Sequence, residues 1–166
     1  FGIPITSAVS AFGYFTFGVF AGYVVSFYIF DYLNFRLVVI TGYLFLTAGI
    51  ALLYAVETTV SLSILLFCLG VIASVEGCGA GTLISVNWQG RQRQVILIAQ
   101  DAMFNGGGIV FTALTTWFIA SEFHWASTYS VVAVIAIVLV GLTAITNLEP
   151  PTEQDWESKY VTRWNP

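Results

Sequence analysis

The chain has 166 residues, of which 58% are hydrophobic and 8% are charged, and its formal net charge at pH 7 is −4. Soluble domains carry about 25% charged residues, so this composition excludes a soluble globular domain and indicates an integral membrane protein. The five Lys and Arg residues form no basic patch, and we therefore expect no nucleic-acid partner.

Five apolar segments follow one another along the chain, and we name them a to e. They cover residues 6–30, 37–56, 62–86, 95–120 and 126–146. Each is long enough to cross a bilayer as a helix, and the runs are continuous rather than alternating, which favours helices over barrel strands. The sequence therefore predicts an all-α transmembrane bundle over residues 1–146.

The last twenty residues, 147–166, differ in character from the rest. Two prolines at 150 and 151 end the preceding helix, and four acidic residues follow. Trp156, Tyr160 and Trp164 then recur every four residues, which would give a short helix one aromatic face suited to the membrane surface. The alternative is a solvated cytoplasmic linker whose aromatic residues have no such role.

The basic residues indicate the orientation of the bundle. Arg36 lies between segments a and b, Arg91 and Arg93 lie between c and d, and Lys159 and Arg163 follow e. By the positive-inside rule, the a–b and c–d loops and the tail are cytoplasmic. The first residue then lies outside, and we expect one further helix upstream that brings both ends of the bundle to the cytoplasm.

Segment c contains a single charged residue, Glu76, close to its middle. An acidic residue at the centre of a membrane helix costs about 2.5–3.5 kcal/mol on insertion scales, and such residues usually mark ion or substrate pathways. We therefore favour a carboxyl group that binds and releases a proton. The alternative is a buried acid whose hydrogen bonds serve packing only.

Segment d carries a group of polar residues. Asp101, Asn105 and Gly108 are spaced to share one helix face, and Gln100 lies beside them. One interpretation is a polar lining, in which Gln100 and Asn105 contact a small polar solute. The alternative for Asp101 is an ion pair with Arg91 or Arg93 that anchors the cytoplasmic loop.

Several glycines lie where helices could approach closely, because small residues form the contacts between membrane helices. The predicted packing positions are Gly18, Gly22, Gly77, Gly81, Gly106, Gly107 and Gly108. The triple glycine in segment d is also consistent with a flexible point for gating.

Charged residues at the a–b turn suggest a second element of the cytoplasmic surface. Asp31 and Arg36 bracket this turn, and we predict that they form a charge clasp. The alternative is two ordinary interfacial charges. Arg91, Arg93 and Asp101 complete the set of charges that we assign to cytoplasmic gating.

Motifs for other classes of function do not occur. The sequence has no phosphate-binding loop, no Ser/His/Asp arrangement and no Cys/His cluster. We therefore expect no enzyme activity, no cofactor and no metal site.

Three stretches together resemble the major facilitator superfamily of transporters, and in particular its TsgA-like branch, which is related to the fucose:proton symporters. They are FGYFTFGVFAGYVVSFYIFDYLNFRLVVITGY, SVEGCGAG and GRQRQVILIAQDAMFNGGGIVF. The first resembles the second helix, the cytoplasmic turn and the third helix of such a transporter, and the last is the strongest match.

The resemblance implies that segments a to e are the second to sixth helices of a twelve-helix transporter, that is, an incomplete N-terminal half. It also implies a multi-pass protein of the bacterial inner membrane. Glu76 falls at the position of a proton-coupling carboxylate, and Gln100 at that of a sugar-contacting residue. The expected partners are the bilayer, protons, a small polar solute, and the missing helices of the same polypeptide or other membrane subunits.

Two functions of different classes follow from these observations. The first is part of a secondary active transporter, proton-coupled and moving a small polar solute by alternating access. The second is a transporter-derived structural or accessory subunit of a larger membrane complex, without transport activity.

Overall fold

The structure, a computed structural model, describes residues 5–124 and 126–146, with the side chains of all of these except residues 5–9 and 31. It contains five long helices, α1 (Ile5–Tyr32), α2 (Phe35–Leu52), α3 (Thr59–Asn87), α4 (Gly90–Ala120) and α5 (Ser127–Ile145). A 3-10 turn, Leu53–Ala55, extends α2. The segment predicted as a tail, 147–166, lies outside the described residues.

The predicted fold class is confirmed. Each of the five helices is long and apolar enough to span a membrane, and no strand occurs in the part of the chain that the structure describes. The helix boundaries differ from the predicted segments mainly at α4, which begins at residue 90 rather than 95. As a result, Arg91 and Arg93 lie in the first turn of a helix and not in a loop.

Polar side chains fix where α2 and α3 begin. The side chain of Asn34 accepts hydrogen bonds from the backbone N–H groups of Arg36 and Leu37 at 3.0 and 3.3 Å. Thr58 and Ser61 form a reciprocal capping box at the start of α3. Such caps satisfy the N–H groups that the first turn of a helix leaves free.

The closest helix pair is α1 and α3, which run parallel and touch through glycine. A Cβ atom added to Gly18 or Gly22 would overlap the backbone of Phe67 or Val71 on α3, and one added to Gly70 would overlap the backbone of α1. Since lipid provides no hydrophobic drive for helices to associate, close van der Waals contact of this kind holds them together.

Helix α2 packs antiparallel on the opposite face of α3. Gly49 of α2 faces the side chain of Leu69, and Gly42 faces Glu76, seven residues further along α3. Two helical turns separate these α3 positions, so they share one face. Helix α3 therefore lies between α1 and α2 and is the central element of the bundle.

Helix α5 packs against α2, and polar contacts join the pair at both ends. At one end, Arg36 Nη2 donates to the carbonyl oxygen of Ala144 in the last turn of α5, where free carbonyl groups attract a cation. At the other end, the hydroxyl groups of Tyr54 and Ser130 are 2.7 Å apart. These contacts hold α2 and α5 antiparallel.

Helix α4 is the least embedded, because none of its residues is buried. Five of the predicted packing glycines, on α3 and α4, make no close helix contact in the described chain. A Cβ atom added to any of them would have no heavy atom from elsewhere in the described chain within 4 Å: Gly77, Gly81, Gly106, Gly107 and Gly108. That these glycines form helix contacts stays a prediction, and the helices that they contact would be other than the five described here.

The glycine contact between α1 and α3 is testable with two substitutions on one helix. Gly70→Val inserts a side chain against the backbone of Phe15 and Val19, whereas Gly77→Val enters open space. We expect Gly70→Val to destabilise the protein by about 1–3 kcal/mol, the typical cost of overpacking, as a lower midpoint of thermal unfolding in detergent. Equal effects of the two changes would contradict a glycine-dependent contact.

Candidate functional site

The Glu76 side chain lies in the interface between α3 and α2 and is only 8% exposed. A Cβ atom added to Gly42 would overlap the Oε1 atom of Glu76. The carboxyl group therefore fits between the helices because the α2 residue that faces it has no side chain. Gly42 therefore belongs to the candidate site together with Glu76.

The buried carboxyl group has no partner among the described residues. Its Oε1 atom is inaccessible to solvent and makes no hydrogen bond there. Tyr43, next to Gly42 on α2, lies within electrostatic range of the carboxylate. Placing an uncompensated charge in such surroundings is costly, so the site suits a carboxyl group that is neutralised by a proton.

A groove of about 400 Å³ lies on the other side of α3, between α1, α3 and α4. Leu97 of α4 lines it, together with three aromatic residues of α1, Tyr23, Phe27 and Phe30. The remaining lining residues are small or carry hydroxyl or thiol groups: Ser26, Cys78, Gly81, Thr82 and Ser85. Ser85 is nine residues from Glu76, which places it about 180° around the helix.

The hydroxyl groups in the groove present acceptor oxygens. Ser26 and Thr82 donate to carbonyl oxygens of their own helices at 2.7 and 2.9 Å, so their lone pairs remain available to a ligand. Gln100 follows Leu97 by one turn of α4. Its Oε1 atom is also buried and has no hydrogen-bond partner in the described chain.

Two further polar residues of α4, Asp101 and Asn105, are exposed. The side-chain amide of Asn105 donates to the backbone oxygen of Asp101 at 2.8 Å, and Asp101 itself is exposed. No hydrogen bond among the described residues joins either of them, or Gln100, to Glu76. The structure thus separates the carboxyl site from the polar residues of α4, which the sequence placed at neighbouring depths.

The alternative ion pair of Asp101 is not formed. Arg91 and Arg93 belong to the same helix as Asp101 and precede it by ten and eight residues. At 1.5 Å per residue, these separations are about 12–15 Å along the axis, beyond the reach of a direct ion pair.

The charge clasp between Asp31 and Arg36 stays a prediction, because the side chain of Asp31 lies outside the described residues. The structure gives Arg36 a different contact, the carbonyl oxygen of Ala144. Sequence reasoning did not identify this contact, since it joins residues 108 positions apart.

Metal-binding side chains do not cluster. The described residues contain no group of three or more His, Cys, Asp or Glu that could hold a metal ion. Cys68 and Cys78 are free thiols.

Gly42 and Tyr43 are the site residues that sequence reasoning missed. The available signal was a glycine in a continuous apolar helix, flanked by Thr41 and Tyr43. A buried carboxyl group requires space on the neighbouring helix, and only two glycines, Gly42 and Gly49, occur in α2. The helix that faces Glu76 had to be known before this signal could be used.

The fit between Gly42 and Glu76 predicts an energetic coupling. Gly42→Ala displaces the carboxyl group, so we expect it to destabilise the protein when Glu76 is present and to cost much less in a Glu76→Ala background. For contacting residues the coupling energy is typically about 0.5–3 kcal/mol, measured by thermal unfolding of the two single variants and the double variant. Additive effects would show that the two residues do not contact each other.

Comparison with curated proteins identifies relatives that cover most of the chain. A TsgA homologue of Buchnera aphidicola is 25% identical over 166 residues, 99% of this chain and 42% of the relative. TsgA homologues of Yersinia enterocolitica and Serratia proteamaculans are 25% and 23% identical over 146 residues, 88% of this chain and 36% of each relative. No protein-family profile matches the chain, and no solved structure matches it.

The chain thus spans about two fifths of the length of the curated relatives it matches. Its five membrane-spanning helices agree with part of one half of such a longer protein. The resemblance to the TsgA-like proteins that was predicted from the three sequence stretches is confirmed: the chain is similar over nearly its whole length to proteins named as TsgA homologues.

Proposed function

We propose that the chain forms part of a secondary active transporter that couples the movement of a small polar solute to that of a proton. The observation that carries this proposal is the burial of Glu76 at 8% exposure, without a hydrogen-bond partner for its Oε1 atom among the described residues. A structural acid would be expected to have its polar atoms satisfied.

Glu76 binds the proton in this proposal. In the closed arrangement of α2 and α3, the carboxyl group is held against Gly42 and is neutral, because burial opposes its charge. Separation of the two helices admits water, and the proton can then leave.

The solute binds in the groove on the opposite side of α3. The groove combines aromatic rings with the acceptor oxygens of Ser26 and Thr82. Gln100 lies one turn beyond the lining residue Leu97, and its side-chain oxygen, which is buried in this structure, becomes a further acceptor when the groove opens. Rings and acceptors together suit a solute with an apolar face and several hydroxyl donors, such as a sugar. Asn105 contributes a further contact as the solute passes α4.

Helix α3 provides the coupling between the two sites, since it carries Glu76 on one face and the groove residues on the other. A shift of α3 that exposes the carboxyl group also changes the width of the groove. Alternating access in such folds arises from movement of one repeat against another around a central site. Transport in this proposal therefore requires the whole protein.

The orientation follows from the basic residues. Arg36, Arg91 and Arg93 lie at the same end of the antiparallel bundle, and this end faces the cytoplasm of a bacterial cell by the positive-inside rule. Together with Asp31, they form the charged cytoplasmic surface at which gating takes place, and Asp101 contributes to gating from about 12–15 Å further along α4.

The structural-subunit alternative is favoured by one observation, the lack of any buried residue in α4. An unembedded helix needs partners, either from the same polypeptide or from other subunits. The two cases are distinguished by intact mass and by the proteins that copurify. Stoichiometric partners in a stable complex favour the structural role, and their absence favours a transporter.

Glu76→Gln tests the proton site. It keeps the shape of the side chain and removes the titratable group, so we expect uptake driven by a pH gradient to fall to the level of empty liposomes. Counterflow exchange of the same solute should persist, because it requires no net proton movement. The measurement uses the intact protein in proteoliposomes with a panel of sugars, beginning with L-fucose.

The matched control is Glu57→Gln, which neutralises an exposed carboxylate outside the membrane spans. It should leave uptake unchanged. Undiminished pH-dependent uptake in Glu76→Gln would exclude Glu76 as the proton carrier.

Gln100→Leu tests the solute groove. Loss of one acceptor from a neutral hydrogen bond costs about 0.5–1.5 kcal/mol, so we expect the KM for the transported sugar to rise about two- to tenfold. Gln94→Leu is the control, because Gln94 is an exposed residue of the same helix. Equal KM values for the two variants would show that Gln100 does not contact the solute.

A further inference from the structure

A pair of aromatic rings lies between the groove and the helix that faces Glu76. Phe30, in the last turn of α1, is half-buried and lines the groove. The centroid of its ring is 5.2 Å from that of Phe35, the first residue of α2, and the two ring planes are inclined by 31°. Centroid separations of about 4.5–7 Å are typical of interacting aromatic side chains. Phe30 therefore contacts both the groove and α2.

Gly79 of α3 provides the surface against which both rings pack. A Cβ atom added to Gly79 would lie 3.2 Å from Cζ of Phe30 and 3.7 Å from Cζ of Phe35. Gly79 is buried and follows Glu76 by three residues, so the two positions are neighbours on the surface of the helix. The ring pair thus contacts α3 within one turn of the buried carboxyl group.

The two rings differ in burial, and this difference gives the pair a direction. Phe30 keeps part of its surface open to the groove, where a bound solute would touch it. Phe35 is only 6% exposed, so it has little space in which to move independently of α2. Because close-packed side chains transmit a displacement to their neighbours, a shift of Phe30 reaches α2 through Phe35.

We propose that Phe30 and Phe35 couple solute binding in the groove to proton release from Glu76. A solute in the groove displaces the ring of Phe30, Phe35 follows, and the start of α2 moves away from α3. Water then reaches the carboxyl group. This inference rests on the proposed function, because it names the residues that join the two sites of that function.

Uptake of a sugar by the intact protein in proteoliposomes, beginning with L-fucose, tests the coupling. Uptake driven by a pH gradient requires coupling to the proton, whereas counterflow exchange does not. We expect Phe30→Ala to lower the ratio of proton-driven uptake to counterflow about two- to thirtyfold, the range over which residues between coupled sites alter their coupling. If the rings only pack the short turn between α1 and α2, both rates should fall together and the ratio should stay the same.

The matched control is Phe27→Ala. Phe27 also lines the groove, but it is 74% exposed and forms no ring contact with Phe35 in the described part of the chain. We expect its loss to weaken solute binding, so that both rates fall and their ratio is unchanged. An equal fall of the ratio in the two variants, or an unchanged ratio in Phe30→Ala, would overturn the proposal.

A second measurement needs no solute and tests the link to Glu76 directly. Dicyclohexylcarbodiimide is an apolar reagent that adds to protonated carboxyl groups, and its adduct on the peptide that contains Glu76 is counted by mass spectrometry. Gly79→Ala presses both rings away from α3, so we expect about two- to thirtyfold faster modification. The acceleration should disappear when Phe30→Ala is also present. Gly77→Ala enters open space on the same helix and should leave the rate unchanged.

The two measurements separate this inference from the proposed function. Absence of proton-driven uptake of every sugar in the panel would contradict the proposed function, and the modification rates would still decide whether the rings control access to Glu76. Equal rates for Gly79→Ala and Gly77→Ala, or an acceleration that persists without the ring of Phe30, would overturn the inference. If Phe30→Ala lowers the midpoint of thermal unfolding, Phe30→Leu replaces it, because leucine retains apolar volume without the ring.

Discussion

The bundle depends on the glycine-mediated contact between α1 and α3. Gly18 and Gly22 on one helix and Gly70 on the other allow the two backbones to approach until a single added Cβ atom would overlap the opposite chain. In a membrane, apolar side chains gain little by leaving the lipid, and contact of this kind provides the stabilisation. Because α1 occupies one face of α3, the opposite face is left for α2, and this arrangement determines where Glu76 lies.

The position of Glu76 is a second consequence of the same packing. A carboxyl group in an apolar helix needs either water, a partner or space, and α2 provides space at Gly42. The result is a polar group enclosed between helices and separated by the width of α3 from the groove at Ser26 and Thr82. A transport cycle that uses both must move α3 or its neighbours, which is a constraint on the mechanism and not only on the fold.

The two ends of the bundle are chemically different. At the end that carries the arginines, Arg36 contacts the last turn of α5, while Arg91 is exposed in the first turn of α4. At the other end, Tyr54 contacts Ser130, and the connection is between neutral groups. This chemical difference between the two ends agrees with a protein that has one orientation in the membrane. The arginines also differ in their surroundings, which the sequence alone does not show.

The sequence by itself determined the membrane class, the number of spanning helices and the similarity to the TsgA homologues, because composition, segment length and short motifs are local properties of the chain. It also identified Glu76 as exceptional, since a single charge in an apolar run is visible without a fold. Only the tertiary structure decided that Gly42 faces this carboxyl group and that Arg36 contacts Ala144. These relations join residues that are distant in sequence, and they depend on which face each helix turns to its neighbour. In α2 and α3 that face cannot be read from the pattern, because the helices are apolar on every side.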